Sequence, residues 1–290
     1  MVGRETGYLG PEKVLVECRE AFQTGGGPMR LDSICAMLQY FHDSTVAPSM
    51  QVSKNEVQLL RCIGWTSPDI DSGLGFVFRY PDNYSSLVSL KNLLSSGPTP
   101  ELGARFRLAL ALSKTLRHLF LISWTHQNIT SSNIMFSDTD ASLNRAFLME
   151  FSYARRIAWG TEWVSPRELD YIHHPDNYAE QFSSHHGALE MQTLMAFDIY
   201  ALGVILLEIG LWKSGDSIEQ TRSEEGKLDV PLGKYLWKYV RGLDPVVGKV
   251  YRGVVEKCLN EGNREWRERT IEEAAQIAIW ASQELEKCSG

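Results

Sequence analysis

The sequence predicts an α+β fold in which a small β-rich segment, residues 1–80, precedes a large helical segment, residues 81–290. Three runs rich in β-branched and aromatic residues lie in the first segment, as expected of strands. From residue 87 onward, apolar residues recur every three or four positions, which is typical of amphipathic helices. Apolar residues make up 43% of the 290 residues and charged residues 22%, so the chain can build a substantial core.

The first segment is predicted to contain a strand, a helix and two further strands. KVLVECR (13–19) is the first strand. A helix is predicted over 30–43, where apolar residues follow helical spacing after a run of glycines. The other strands are predicted at 57–65 and 74–80, with the turn-rich TSPDIDSG between them.

The second segment is predicted to be mainly helical. A long helix is predicted over 101–124, and a short strand within NRAFLMEFSYARR (144–156). A polar, His-rich loop (160–192) leads into AFDIYALGVILLEIGLW (196–212), a helix that is apolar on most faces and is therefore predicted to be buried. Further helices close the chain, the last over 270–287.

Composition narrows the class of protein and its compartment. The net charge of −7 argues against a broad nucleic-acid-binding surface. The N-terminal residues carry no secretory signal, and the apolar run 202–212 is shorter than the roughly 20 residues of a membrane span. We therefore expect a soluble intracellular protein, cytoplasmic or nuclear, with no membrane span. Reduced thiols are expected because the five cysteines are scattered and odd in number: Cys18, Cys35, Cys62, Cys258 and Cys288.

Several polar segments follow one another in a recognisable order. THQNITSSNIMF (125–136) places His126 seven residues before Asn133. LMEFSYARR follows, then HHPD (173–176), then FDIYALGVILLE, and KCLNEGNREWRERT lies near the end. In this order they resemble five elements of protein kinases: the catalytic loop H-R-D-x-x-x-x-N, the D-F-G and A-P-E motifs, the buried central helix D-x-W-S-x-G-x-x-L-x-E, and a C-terminal segment with a structural Arg.

The resemblance to protein kinases covers nearly the whole chain. It implies a bilobal fold with a small, reduced β-rich N-lobe, residues 1–80, and a large helical C-lobe, residues 81–290. KVLVECR, YIHHPDNY and LLEIGLW look most like the kinase-like domains of fungal proteins, some of which follow cell-death (HeLo-type) helical domains.

The resemblance also implies structural roles for three residues. Asp198 would hold the backbone of the catalytic loop, because a buried carboxylate needs hydrogen-bond partners; the alternative is an N-cap of an ordinary helix. Asp176 and Arg269 would form the ion pair that joins the A-P-E motif to the C-terminal segment.

The nucleotide-binding parts of a kinase are altered near the N-terminus. Gly3, Gly7 and Gly10 do not fit G-x-G-x-x-G, and a turn is their predicted role. Glu17 stands where the resemblance places the phosphate-binding lysine, and a carboxylate there repels a triphosphate. Lys13 lies on the same strand face but about 13 Å away.

The transfer chemistry is altered as well. Asn128 replaces the Asp that accepts a proton, and Thr130 replaces the Lys that assists the γ-phosphate. Asn133 is retained and either binds a metal or holds backbone. Glu150 replaces the D-F-G Asp; it is a possible Mg²⁺ ligand, one methylene longer. The sequence therefore predicts a cleft that lacks the charges needed to hold ATP and Mg²⁺, with weak or absent binding of both.

Phe78 and Tyr80 fall at the hinge implied by the resemblance. Phe78 would narrow the nucleotide pocket as gatekeeper, or it is ordinary core packing. Two further features remain as weak alternatives. The His pairs at 173–174 and 185–186 lack the cysteine or H-E-x-x-H spacing of a zinc site and are interpreted as a polar loop. Three tryptophans among charges would form a protein-binding surface if exposed: Trp159, Trp163 and Trp266.

Three functional hypotheses follow. The first is a pseudokinase, a kinase-like module that acts by binding a protein partner as scaffold, switch or regulator. The second is a non-kinase transferase or accessory enzyme of a fungal specialised-metabolism pathway, whose candidate residues would be His126, Asn128, Asn133, Glu150 and Glu17. A divergent active kinase ranks lowest. An open pocket where these polar groups converge favours catalysis, whereas a cleft filled by Phe78 and Phe151 favours binding. The partner and the oligomeric state are left open.

Overall fold

A computed structural model describes residues 3–19, 27–42, 58–66, 74–82, 86–137, 143, 145–156, 191–263 and 270–289. The strands are β1 (Gly3–Leu9), β2 (Glu12–Arg19), β3 (Gln58–Leu59), β4 (Cys62–Thr66), β5 (Leu74–Arg79), β6 (Leu87–Ser89), β7 (Trp124–Thr125), β8 (Ile134–Ser137), β9 (Phe147–Leu148) and β10 (Arg155–Arg156). The helices are α1 (Gly27–Tyr40), α2 (Leu90–Ser96), α3 (Leu102–Leu121), α4 (Met191–Leu211), α5 (Gly215–Glu224), α6 (Leu232–Arg241), α7 (Asp244–Asn263) and α8 (Ile271–Ser289). The predicted α+β class is confirmed.

An antiparallel sheet with the strand order β1-β2-β5-β4 dominates the N-terminal part, and α1 packs beside β4. Strand β1 was not expected. Gly3 and Gly7 lie within it, so the prediction that they form a turn was wrong, and only Gly10, with a φ of 60°, lies in the turn to β2. Most of β1 is exposed, so it carries no alternating apolar pattern; its pairing with β2 holds it in place.

A second sheet, ordered β3-β9-β8-β6, joins residues from both sides of the predicted boundary at residue 80. Strand β3 pairs in parallel with β9, and the other two pairings are antiparallel. The predicted strand at 57–65 is therefore two short strands in different sheets. The predicted strand within 144–156 is also interrupted, since a 3₁₀ helix (Phe151–Tyr153) separates β9 from β10.

The helical part is built around α4. This helix packs against α7, and α3 packs against α8. The apolar part of this helix is longer than the run 202–212. Its residues Leu194–Leu211 are numerous and apolar enough to cross a membrane, but 94% of this stretch is buried inside the protein. In the described part of the chain it is the one helix that meets this test, and its burial identifies it as a core helix.

Close packing of α4 on α7 depends on a residue without a side chain. A Cβ added at Gly203 would lie 2.9 Å from the Cβ of Cys258 and 3.1 Å from the side chain of Leu259. The first distance is shorter than real Cβ contacts and the second is unusually tight, so a side chain there would force α4 and α7 to shift apart.

We predict that Gly203→Ala lowers the free energy of unfolding by about 1–3 kcal/mol, because overpacking strains a filled core. Urea unfolding measures the change. Gly253→Ala on α7 is the matched control: it meets nothing within 4 Å, so its stability should stay within about 1 kcal/mol of the original or rise through better helix propensity. A Gly203→Ala protein as stable as the Gly253→Ala protein would contradict the packing argument.

Candidate functional site

Residues 126–133, here called the central loop, are anchored to α4 by Asp198. Its Oδ2 accepts the backbone N–H of His126 at 2.6 Å, and its Oδ1 accepts the backbone N–H of Gln127 at 2.8 Å. Asp198 lies within α4, so it is not an N-cap. Burial raises the pKa of its carboxyl to about 7, and the N–H groups of His126 and Gln127 oppose that rise.

The ring of His126 is fully engaged inside the protein. Its Nδ1 accepts the backbone N–H of Asn128 at 3.1 Å, so the proton is on Nε2, which donates to the carbonyl of Met149 at 3.1 Å. The ring also packs edge-on against Phe151, with 4.5 Å between centroids. Burial lowers the pKa of the imidazole to about 3. His126 is therefore a neutral structural residue with no free nitrogen for a substrate proton.

Glu208 anchors the other end of the central loop. Its Oε1 accepts the hydroxyl of Ser131 at 3.3 Å and the backbone N–H of Gly215 at 2.5 Å. Its Oε2 is buried without a hydrogen-bond partner among the described residues. Burial raises the pKa of this carboxyl to about 7, while the bonds from Gly215 and Ser131 work in the opposite direction. Glu208 therefore keeps its proton to a higher pH than a solvent-exposed glutamate does.

Asn133 donates hydrogen bonds to other residues of the central loop. The Nδ2 of Asn133 donates to the carbonyl of Asn128 at 3.1 Å, and its backbone N–H donates to the carbonyl of Thr130 at 3.0 Å. Thr130 is fully buried. The amide of Asn133 therefore holds backbone, which is one of its two predicted roles.

Arg4 on β1 reaches into the same region. Its Nε donates to Oε1 of Glu17 at 2.8 Å, its Nη2 to Oδ1 of Asn133 at 2.8 Å, and its Nη1 to the carbonyl of Ser132 at 3.2 Å. The other oxygen of Glu17 accepts the backbone N–H of Glu150 at 3.0 Å. We call these contacts the Arg4 bridge, because they tie the N-terminal sheet to the central loop and to residue 150.

The Arg4 bridge adds a cation to a region that was predicted to lack the charges needed to hold ATP and Mg²⁺. Glu17 and Lys13 were the charged residues considered on this sheet, and Arg4 was missed because no strand was predicted around it. The contact could have been predicted from the register of a β1–β2 hairpin. With its turn at Gly10, this hairpin pairs Arg4 directly with Glu17. The guanidinium is nonetheless committed to a carboxylate and two further oxygens.

The segment around Glu150 is also internally bonded. Glu150 has a φ of 68°, a conformation that non-glycine residues rarely adopt. The hydroxyl of Ser152 donates to the carboxylate of Glu150, and Arg30 of α1 donates to the carbonyl of Ser152 at 2.5 Å. This carboxylate therefore has a partner within its own turn.

The aromatic residues at the predicted hinge and cleft belong to the core. Phe78 and Phe151 are each 1% exposed and lie in the continuous hydrophobic cluster of the protein. Tyr80 is buried as well, and the ammonium of Lys13 stacks on its ring at 3.7 Å from the centroid. Lys13 thus packs on the aromatic ring beside the sheet.

Several predicted residues lie outside the described part of the chain. These are Asp176 and Arg269, the histidines at 173–174 and 185–186, and the tryptophans at 159, 163 and 266. Within the described residues, no group of three or more His, Cys, Asp or Glu side chains could hold a metal ion.

We predict that Glu208→Gln changes how stability depends on pH. In the folded protein Glu208 keeps a proton that the unfolded chain releases between pH 4.5 and about 7, so wild-type stability falls as pH rises through this window. A glutamine keeps the acceptor oxygen and cannot ionise. The free energy of unfolding of Glu208→Gln relative to wild type should therefore rise by up to about 3 kcal/mol between pH 4.5 and 8.

Urea unfolding across this pH range measures the difference. Glu101→Gln serves as the control, because Glu101 is exposed and its side chain makes no cap hydrogen bond. A difference between Glu208→Gln and wild type that stays constant with pH would show that Glu208 does not take up the proton.

We predict that Arg4 and Glu17 are energetically coupled. Removing one partner leaves a poorly solvated charge, so Arg4→Met and Glu17→Met should each cost about 1–3 kcal/mol, and the double variant should cost less than their sum. A double-mutant cycle by urea unfolding should give a coupling energy of about 1–3 kcal/mol. The exposed pair Arg79–Glu12, 3.0 Å apart on the same sheet, is the control, with coupling below about 1 kcal/mol. Equal coupling in both pairs would contradict a buried bridge.

One of two comparisons with known proteins places the chain in a family. A search of curated proteins found no match. Residues 15–281 match the sequence profile of a family described as a domain of unknown function, DUF7580. This match leaves out β1 and the start of β2 and covers the rest of the N-terminal sheet, the central loop and the buried helix α4. The chain therefore belongs to the DUF7580 family.

Proposed function

We propose that this protein is a pseudokinase: a kinase-like, bilobal module that acts by binding a protein partner rather than by transferring phosphate. The order of elements supports this proposal. An antiparallel sheet with one helix beside it is followed by a helical body, and the central loop is hydrogen-bonded to an Asp in a buried helix. The lobes would be residues 1–80 and 81–290, with β3 of the first segment joined to the second sheet.

The observation that carries the proposal is the Arg4 bridge. Phosphoryl transfer depends on cations that neutralise the phosphates and on a carboxylate that receives a proton. Here the one cation of the bridge is bound to Glu17 and Asn133, and Asn128 stands where a proton acceptor is needed. Because the guanidinium of Arg4 already neutralises Glu17, the bridge itself has no surplus positive charge to offer a triphosphate.

The low exposure of the polar residues in this region also supports binding rather than catalysis. The five polar candidates, His126, Asn128, Asn133, Glu150 and Glu17, are each at most 6% exposed. A transferase on this scaffold would need them open to a substrate, whereas they contact backbone groups and the side chains of Arg4, Ser152 and Phe151. Binding is therefore the function that the geometry supports best. Free thiols at all five cysteines support a reducing, intracellular location.

We predict that ATP with Mg²⁺ neither stabilises the protein nor is consumed by it. In a thermal-shift titration the melting temperature should stay unchanged up to millimolar ATP, since a ligand stabilises a fold only when its concentration exceeds its Kd. A phosphotransfer assay with a generic protein substrate should give no signal above a protein-free blank.

Glu150→Ala is the companion variant for both measurements. Because Glu150 would be the metal ligand of a surviving active site, a true activity would vanish in this variant, whereas a contaminating kinase would not respond. Robust transfer by the wild type that disappears in Glu150→Ala would overturn the pseudokinase proposal.

A further inference from the structure

Two thiols from separate elements meet inside the N-terminal part. Cys35 of α1 and Cys62 of β4 are 27 positions apart, and their sulfur atoms are 3.2 Å apart. They are 6% and 1% exposed. The described contacts bring no other two thiols together in this way. A disulfide bond needs its sulfurs about 2.05 Å apart, so a shift of roughly 1 Å separates the pair from a covalent link.

The two sulfur atoms are not equivalent. The thiol of Cys62 donates to the sulfur of Cys35, and also lies 3.4 Å from the carbonyl of Gly64. This hydrogen bond lowers the pKa of the Cys35 thiol, against the opposing effects of burial and Asp32, and it raises the pKa of the Cys62 thiol. A thiolate reacts with oxidants and a thiol does not, so Cys35 is the first sulfur to react.

A cavity reaches one member of this pair, Cys62; Cys35 does not line it, but its sulfur lies 3.2 Å from that of Cys62. The cavity measures about 700 Å³ and is open to solvent, and Cys62 lies in its wall. Gln39, one helical turn after Cys35, lines the same cavity and donates to the carbonyl of Cys62 at 3.2 Å. Arg61, Arg79 and His42 make the rest of the lining largely polar. Water and hydrogen peroxide can therefore approach β4 from this side.

We propose that Cys35 and Cys62 form a reversible disulfide when the protein meets a peroxide. The Cys35 thiolate attacks one peroxide oxygen, the O–O bond breaks, and hydroxide leaves to give a sulfenic acid on Cys35. Cys62 then loses its proton and attacks the Cys35 sulfur, and the sulfenic oxygen departs as water. In total, two thiols and one hydrogen peroxide give one disulfide and two waters.

The link would tie α1 covalently to the sheet. Helix α1 also contacts the turn that carries Glu150, through Arg30 and the carbonyl of Ser152. Oxidation would thus fix the helix that supports this turn. Closing the loop between residues 35 and 62 restricts the unfolded chain, so the oxidised protein should melt roughly 5 °C or more above the reduced one. The inference does not depend on the proposed function.

The test treats the full, folded chain with hydrogen peroxide and quenches free thiols with an alkylating reagent. Intact mass spectrometry should show a species lighter by about 2 Da that carries two fewer alkyl groups, and peptide mapping should place the link between Cys35 and Cys62. Dithiothreitol should restore the starting mass and the lower melting temperature.

Cys62→Ser is the matched variant, because serine keeps a small side chain with a hydrogen-bond donor facing Cys35. It should lose the lighter species, whereas Cys18→Ser should keep it. The proposal is overturned if the wild type gives no such link while folded, if the link forms only in urea, or if mapping joins other cysteines. Peptide mapping of the wild type decides the matter even if Cys62→Ser does not fold.

Discussion

The fold depends on one constraint above the others: two carboxyl groups buried in a core helix must find hydrogen-bond donors. Asp198 and Glu208 lie ten residues apart on α4, about 15 Å along its axis. A buried carboxyl without donors is costly, and this pair finds donors in the central loop and, for Glu208, also in the backbone N–H of Gly215. Between them Gly203 lets α4 approach α7 closely, so the helix that anchors the loop is itself firmly packed.

A loop that is anchored in this way presents fixed acceptors to the sheet above it. The carbonyl of Ser132 and the amide oxygen of Asn133 meet the guanidinium of Arg4, whose planar fork can bind several oxygens at once. Glu17 completes the bridge, because Arg4 faces it across the hairpin. The anchoring of the central loop and the Arg4 bridge are therefore parts of one hydrogen-bond network.

Elements with long periodic apolar patterns could be predicted from the sequence. Contacts that depend on the pairing of residues far apart in the chain could not. The helices α3, α4 and α8 and the strands β2 and β5 could be predicted, because apolar spacing encodes burial. Strand β1 could not, since most of its residues are exposed and its stability comes from the register with β2. Arg4 was missed for the same reason: nothing in its local sequence distinguishes it from a surface arginine.

The contact between Cys35 and Cys62 could not be predicted for the same reason. The two cysteines are 27 positions apart and lie in different elements, so their contact exists only once α1 packs beside β4. The Arg4 bridge joins the sheet to the central loop, the Arg30 contact with Ser152 joins α1 to the turn at Glu150, and the sulfur pair joins α1 to the sheet. The first two are polar contacts at partly exposed arginines and can be exchanged for water, whereas a disulfide can be removed only by a reductant. An oxidised chain would therefore hold α1 against the sheet even under conditions in which both polar contacts are exchanged for water.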